Sequence, residues 1–305
     1  MITAVTGANG HLARNTFDHL LKHANPQDLI AIVRNAKNAA WFHELGVTVR
    51  IADYDQPASL EAAFAGVNRL LFISGTDLAN LQTQHANVVA AARRAEIGHL
   101  FATSIANADH SPAILAPVHR ETEAAIRATG LPFTIFRLNW FTENYVAAAQ
   151  RAQQTGTLVT SVGTKHPARA ITESAWSNQV ASASRADYAA GIATALLADD
   201  QAGRIYEFSG DVAWTYRELG QAIAEVIGRR VMVQPIDPDA LVSILTGFGV
   251  PDIEARLQAR LDVDVMEGAA GMVSPDLSTL IGRPTTPLVD GLRAALATPA
   301  LVAQG

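Results

Sequence analysis

Cysteine is absent from the chain, which excludes disulfides, thiolate metal sites and a cysteine nucleophile. Lysine is nearly absent too. Lys22, Lys37 and Lys165 are its only members, so the scattered positive charge is almost all arginine. Charged residues make up 17% of the sequence, less than is usual for a soluble protein. The net charge of −6 argues against nucleic acid or an anionic membrane as the main partner. No apolar run is long enough to span a bilayer, and a strand pattern that starts at residue 2 leaves no room for a signal peptide. A cytoplasmic protein is expected. What is plentiful is apolar surface: 49% of 305 residues suffices for one large domain, or for one domain and a smaller lobe.

The most informative stretch is residues 2–13, Ile-Thr-Ala-Val-Thr-Gly-Ala-Asn-Gly-His-Leu-Ala. A short apolar strand runs into a glycine turn, and a helix pattern follows at once. Gly7 lets the chain leave the strand sharply, and Gly10 lets backbone amides approach a diphosphate with no side chain in the way. The helix that opens here points its N-terminal amides and positive dipole end at that anion. Ala13 is small enough for the helix to pack closely on the strand. The spacing Gly-x-x-Gly-x-x-Ala is weak evidence alone; the strand before it and the helix after it give it weight.

Strands and helices then alternate. Leu29–Val33, Val47–Ile51, Leu70–Ile73, His99–Thr103 and Phe133–Phe136 read as strands. Residues 11–23, Asn38–Leu45, Pro57–Phe64, Leu81–Ala95 and Pro117–Thr129 read as helices, several closed by glycine. This alternation predicts an α/β fold with a doubly wound parallel sheet and right-handed crossovers. Past residue 140 the regularity breaks. Residues 141–154 look helical, 156–182 irregular and polar, 187–198 helical, and Ile205–Ser209 resembles a seventh strand. The remainder is mostly helical, with a short strand at Val231–Gln234. Residues 1–140, completed by roughly 183–214, are therefore read as a Rossmann domain. Residues 141–182 and 215–305 are read as a smaller, mostly helical lobe over the carboxyl ends of the strands.

At the end of the second strand, where NAD-binding folds carry an acid, the sequence is Val33-Arg34-Asn35. A guanidinium suits a 2′-phosphate, so NADPH is favoured over NADH, unless Arg34 is a solvated loop arginine. Asp53 either contacts adenine or caps the turn at Tyr54–Pro57. Ser74, Gly75 and Thr76 follow the fourth strand, where the cofactor ribose would pass or where a simple loop would serve. No tyrosine is followed four residues later by lysine, the pair that protonates a carbonyl oxygen in familiar short-chain reductases. In its place, on the helix after the fifth strand, stand His119 and Glu123, on one helix face. His119 could donate a proton or orient a substrate oxygen; the alternative is a surface histidine bonded to Glu123. Ser104 closes the fifth strand and could reach substrate or the nicotinamide ribose.

Without that pair the substrate class narrows. An ordinary ketone needs a proton on oxygen as hydride arrives. A quinone gives a phenolate, whose conjugate acid has a pKa of roughly 10 or lower, so water suffices. A cationic dye needs no proton. After the sixth strand come Asn139, Trp140, Phe141 and Tyr145, flat walls for a planar acceptor if they are not simply core.

These segments resemble the NmrA-like atypical short-chain dehydrogenases, closest to the bacterial NADPH-dependent quinone reductases and triphenylmethane dye reductases. The likeness is carried by Val5-Thr-Gly-Ala-Asn-Gly-His-Leu12, Ile30-Ala-Ile-Val-Arg-Asn35, Val49-Arg-Ile-Ala-Asp-Tyr54, Leu70-Leu-Phe-Ile-Ser-Gly75, Gln84-His-Ala-Asn-Val-Val89, His119-Arg-Glu-Thr-Glu123, Arg137–Tyr145, Ser184-Arg-Ala-Asp-Tyr-Ala-Ala190 and Ile281-Gly-Arg-Pro-Thr285. It implies an oxidoreductase that binds NADPH between a Rossmann domain and a C-terminal lobe, with no flavin and no metal. Phosphates would meet Gly7, Ala8, Asn9, Gly10, His11 and Leu12, and Arg34 would meet the 2′-phosphate. Ser74, Gly75, Thr76, Leu138, Asn139, Trp140, Phe141, Thr142 and Glu143 would flank ribose and nicotinamide. The resemblance leaves open a dye or other specialised acceptor, a non-catalytic NADP-sensing regulator, and a homodimer. Two departures stand out: Ala13 replaces the third glycine, and residues 163–179 are longer than the expected turn. The latter suggest a lid that brings Trp176 or His166 to substrate, or else a surface loop.

Overall fold

The computed structural model describes residues 1–164 and 178–298. The expected lid residues His166 and Trp176 therefore lie outside the described residues. Strands β1 (Thr3–Val5), β2 (Leu29–Val33), β3 (Thr48–Ile51), β4 (Arg69–Phe72), β5 (His99–Ile105), β6 (Phe133–Leu138) and β9 (Arg204–Phe208) build one sheet. Its order is β3-β2-β1-β4-β5-β6-β9, and every neighbouring pair is parallel. Helices α1 (His11–Leu20), α2 (Ala40–Glu44), α3 (Pro57–Phe64), α4 (Leu81–Arg94), α5 (Ala116–Ala128) and α7 (Arg185–Leu197) form the crossovers that cover it. The strand order reverses between β1 and β4, and the crevice outside the carboxyl ends of such strands is where doubly wound sheets take ligands.

Apolar burial explains why both faces are covered. On one face Phe17 and Leu20 of α1 and Tyr188 and Ile192 of α7 pack with Val5, Phe101 and Phe136. On the other, Leu60 and Phe64 of α3 and Val88 and Val89 of α4 pack with Ile32, Leu70 and Phe72. Ala13 is buried within the first cluster, which realises the close helix–strand contact its size allows.

The second half holds α6 (Val146–Thr155), β7 (Thr157–Thr160), β8 (Gln179–Val180), β10 (Trp214–Thr215), α8 (Tyr216–Ile227), β11 (Met232–Pro235), α9 (Pro238–Gly247), α10 (Asp252–Met266), α11 (Asp276–Ile281) and α12 (Leu288–Ala297). Tyr145, Trp214, Tyr216, Leu219 and Leu292 centre a third apolar cluster there. Residues 156–182 were expected to be irregular, but β7 pairs with β11 and β8 with β10. These strands are two to four residues long, and their partners are remote in sequence, so no local alternation marks them. The helix expected at Asn38–Leu45 starts later, because the Asn35 side chain accepts from Lys37 N and turns the chain into a 3-10 segment at Ala36–Asn38 first. Helix α7 starts earlier than residue 187, because Ser184 Oγ accepts from Asp187 N and caps it at Arg185. Among the described residues no helix is long and apolar enough to cross a membrane.

Candidate nucleotide-binding groove and acceptor cavity

The turn after β1 is closed by its own backbone. Ala8 N donates to Ile32 O and Gly10 N donates to Gly7 O. Gly7 sits at φ +60°, a conformation costly to residues with a Cβ. A Cβ on Gly10 would lie 3.1 Å from Gly7 O, inside comfortable contact. Helix α1 then begins with no side-chain cap and no acidic residue in its first turn, so its first amides and dipole face the crevice uncompensated. Asn9 adds a buried Oδ1 with no hydrogen-bond partner among the described residues. Nearby, the Arg14 guanidinium rests 5.2 Å from the Trp41 ring centroid. This cradle fits a diphosphate.

Tyr54 fixes the switch point. Its hydroxyl donates to Ile73 O at 2.8 Å and shares a 2.6 Å hydrogen bond with Thr6 Oγ1. Thr6 Oγ1 also accepts from Ile73 N. Asp53, weighed as an adenine contact or a cap, accepts from Asp55 N through Oδ1, which is the cap geometry. Arg34 follows β2, exposed, with no hydrogen bond or ion pair to its side chain among the described residues.

Beyond β4, Ser74 begins a hydrogen-bonded chain. Its Oγ lies 2.8 Å from His85 Nε2, and His85 Nδ1 lies 2.8 Å from Thr122 Oγ1. Thr122 gives its only hydroxyl proton to Val118 O, so it must accept from His85 Nδ1–H. A neutral His85 is then bare at Nε2 and receives the Ser74 proton. Burial, helped by nearby His119, pushes the His85 pKa down to about 4, in keeping with that tautomer. Gly75 leaves room here: a Cβ would stand 3.0 Å from Gln84 Oε1, so the amide would have to shift. Thr76 is exposed.

His119 is buried against His85, ring centroids 5.6 Å apart, and its Nδ1 has no partner among the described residues. The surface His–Glu pair considered from sequence is not what forms. Burial pushes the His119 pKa down to about 4, against the pull of Glu123, so the ring is neutral at pH 7. Glu123 is committed elsewhere: it accepts from Arg137, Arg127 and Ser104 Oγ. Arg137 in turn reaches Glu207 and Asp109. Ser104 thus spends its hydroxyl proton inside the fold, at 2.7 Å from Glu123 Oε1.

After β6, buried Asn139 donates to Ala270 O and Met272 O and accepts from Trp140 N, so its amide ties this strand end to the second half. Leu138 is buried beside it. Phe141 meets the Tyr188 ring edge-on at 5.3 Å. Thr142 Oγ1 bonds Ser182 Oγ, and the Glu143 carboxylate accepts from Arg185 N at the start of α7.

Trp140 and Tyr145 do meet at a cavity. About 200 Å³ in volume, it is lined by those two with Asn144, Tyr216, Gln258, Leu261 and Asp262. Asp262 is buried and accepts from Thr160 Oγ1, Ser161 N, the Tyr216 hydroxyl and Gln258 Nε2. Burial raises its pKa above the ordinary carboxylate value despite those donors. Sequence reading missed Tyr216, Gln258 and Asp262. Their only signal is a tertiary one, because they come from α8 and α10.

Residues 7–199 match a family described as NAD(P)H-binding. Quinone oxidoreductase 2 of Escherichia coli strain K12 is 35% identical over 289 residues, covering 95% of this chain and 96% of the relative. The crystal structure of an NADPH-dependent quinone oxidoreductase from E. coli complexed with NADPH superposes with a TM-score of 0.88 at 35% identity, over 96% of this chain and 99% of that one. Triphenylmethane reductase of Citrobacter sp. complexed with NADP(H) does so with a TM-score of 0.89 at 38% identity, over 96% and 100%. The chain belongs to the NAD(P)H-binding family.

Proposed function

We propose that the protein is an NADPH-dependent reductase of quinones or similarly conjugated, electron-poor acceptors. The observation that carries this reading is the pair His119 and Glu123. Where a carbonyl reductase would hold a proton donor and its lysine, there is a neutral imidazole and a carboxylate locked onto Arg137. Neither is an acid that could protonate an alkoxide at pH 7. The full-length likeness to quinone and dye reductases supports the same acceptor class.

Gly7–Leu12 would hold the phosphates, Arg34 the 2′-phosphate, and Ser74–Thr76 with Leu138–Glu143 the ribose and nicotinamide side. Bound there, NADPH supplies a hydride. Trp140 and Tyr145 would wall a planar acceptor on the lobe side, and water would supply the proton that a reduced quinone takes up. The division into residues 1–140 with 183–214, and 141–182 with 215–305, is supported by a second apolar cluster drawn wholly from the first set and a third drawn mostly from the second, although Leu277 of α11 packs into the first cluster. The lack of cysteine supports a cytoplasmic setting.

The test is NADPH oxidation with 1,4-benzoquinone, a naphthoquinone and a triarylmethane dye as acceptors, followed by nicotinamide absorbance. Turnover with a quinone is expected. Tight NADPH binding with no oxidation by any acceptor would replace this reading with that of a dinucleotide-sensing regulator.

A further inference from the structure

We infer that Arg185, contributed by the second half of the chain, is a binding residue for the cofactor's pyrophosphate, reaching it beside the first turn of α1. This rests on the nucleotide-binding reading of that turn. Arg185 opens α7, and α7 packs along α1 in the core, so the two helix starts lie together. The guanidinium stands 5.1 Å from the Phe141 ring centroid, a stacked geometry that fixes the plane of its donors. Among the described residues it has no hydrogen bond and no ion pair, although burial lowers its pKa. The one carboxylate beside it, Glu143, is held by the Arg185 backbone amide through both oxygens, at 2.9 and 3.1 Å.

A partly desolvated guanidinium whose donors meet no acceptor among the described residues, with only the attraction of Glu143 to offset its charge, is costly, and it persists where a ligand supplies the contact. What surrounds it identifies the ligand as an anion. Burial first, then Arg185 and Arg14, disfavour protonation of His11, with Glu143 opposing, so two guanidiniums lie near the first turn of α1 against one carboxylate. Arg34 is a separate site: it follows β2 and carries the 2′-phosphate discrimination. A pyrophosphate needs charge on the α1 side, which is where Arg185 sits.

The assignment separates from that of Arg34 by ligand. Affinities of the full chain for NADPH, NADH and adenosine 2′-monophosphate can be measured by fluorescence or calorimetric titration, for wild type, Arg185→Met, Arg185→Lys and Arg34→Ala. Arg185→Met should weaken NADPH and NADH together, by roughly tenfold to a hundredfold, and leave adenosine 2′-monophosphate within about twofold. Arg185→Lys should recover part of the loss, because charge returns without the planar fork. Arg34→Ala should weaken NADPH and adenosine 2′-monophosphate and spare NADH. If Arg185→Met binds NADPH as wild type does, or loses adenosine 2′-monophosphate in parallel, the inference fails while the nucleotide site stands. If wild type binds neither dinucleotide, the underlying reading falls with it.

Discussion

Arg137 grips Glu123 through two parallel hydrogen bonds, Nε to Oε1 at 2.8 Å and a terminal nitrogen to Oε2 at 2.7 Å, with both side chains buried. The pair joins the end of β6 to α5 and draws in Ser104, Arg127, Glu207 and Asp109. A network of this kind is unforgiving when one member is removed, because the others stay buried and charged. Arg137→Met leaves Glu123 the Ser104 hydroxyl and, as its counter-charge, only the half-exposed Arg127, and should cost about 3–5 kcal/mol. Glu123→Gln leaves Arg137 its contacts with Glu207 and Asp109 and should cost less. Denaturant midpoints at pH 7 check the order; equal losses would show that the network is not centred on this pair.

The buried histidines make stability pH-dependent in a defined direction. His85 and His119 have pKa values pushed down to about 4 by burial, against 6.5 for an open chain. Between those values the unfolded chain binds more protons than the folded one. Stability is therefore complete above pH 6.5 and falls as the pH drops towards 4. His119→Gln cannot titrate and should flatten that fall by about 1.4 kcal/mol per pH unit. The check is a series of denaturant midpoints between pH 4.5 and 7, set as about half-unit steps across that window; an unchanged slope in the variant would show that the imidazole is reached by solvent.

Local features of the sequence carried the fold, and the reason is that they act locally. The Gly7–Gly10 turn, the apolar strands and the glycine stops each bias a few neighbouring residues, and all appear where their patterns point. Side-chain commitments are another matter. Whether Ser104 faces a ligand or Glu123, and whether Asn139 is free or bound to Ala270 and Met272, depends on segments far away in sequence. The cavity at Trp140 illustrates the same limit. Trp140 and Tyr145 stood out as a cluster, but Tyr216 and Asp262 reach them only through the packing of α8 and α10. Two-residue strands such as β8 fall below the length at which alternation can be read.

The 2′-phosphate contact proposed for Arg34 can be removed without disturbing the fold. The Arg34 side chain is exposed and makes no hydrogen bond or ion pair among the described residues, so its loss should leave the unfolding midpoint unchanged. A charge-assisted contact to a phosphate contributes roughly 1.5–3 kcal/mol, which is about tenfold to a hundredfold in affinity. Arg34→Ala should raise KM for NADPH by that factor and leave KM for NADH in place. Steady-state kinetics with both nucleotides decide it, and a parallel rise for NADH would move the 2′-phosphate contact to another residue.

The cavity beneath Trp140 offers a way to separate acceptor from cofactor. Its far wall is Leu261 of α10, a partly buried side chain with no hydrogen-bonding role. An indole in place of Leu261 would intrude into the 200 Å³ without touching the glycine turn or Arg34. If the acceptor lies there, Leu261→Trp should raise its KM by roughly tenfold or more and change NADPH affinity little, the signature of lost binding to one substrate only. Small acceptors such as 1,4-benzoquinone should suffer less than naphthoquinones, because the residual space still admits a single ring. Equal effects on both acceptors, or none on either, would place the oxidant outside this cavity, on the open side of the groove beside Ser74 and His119.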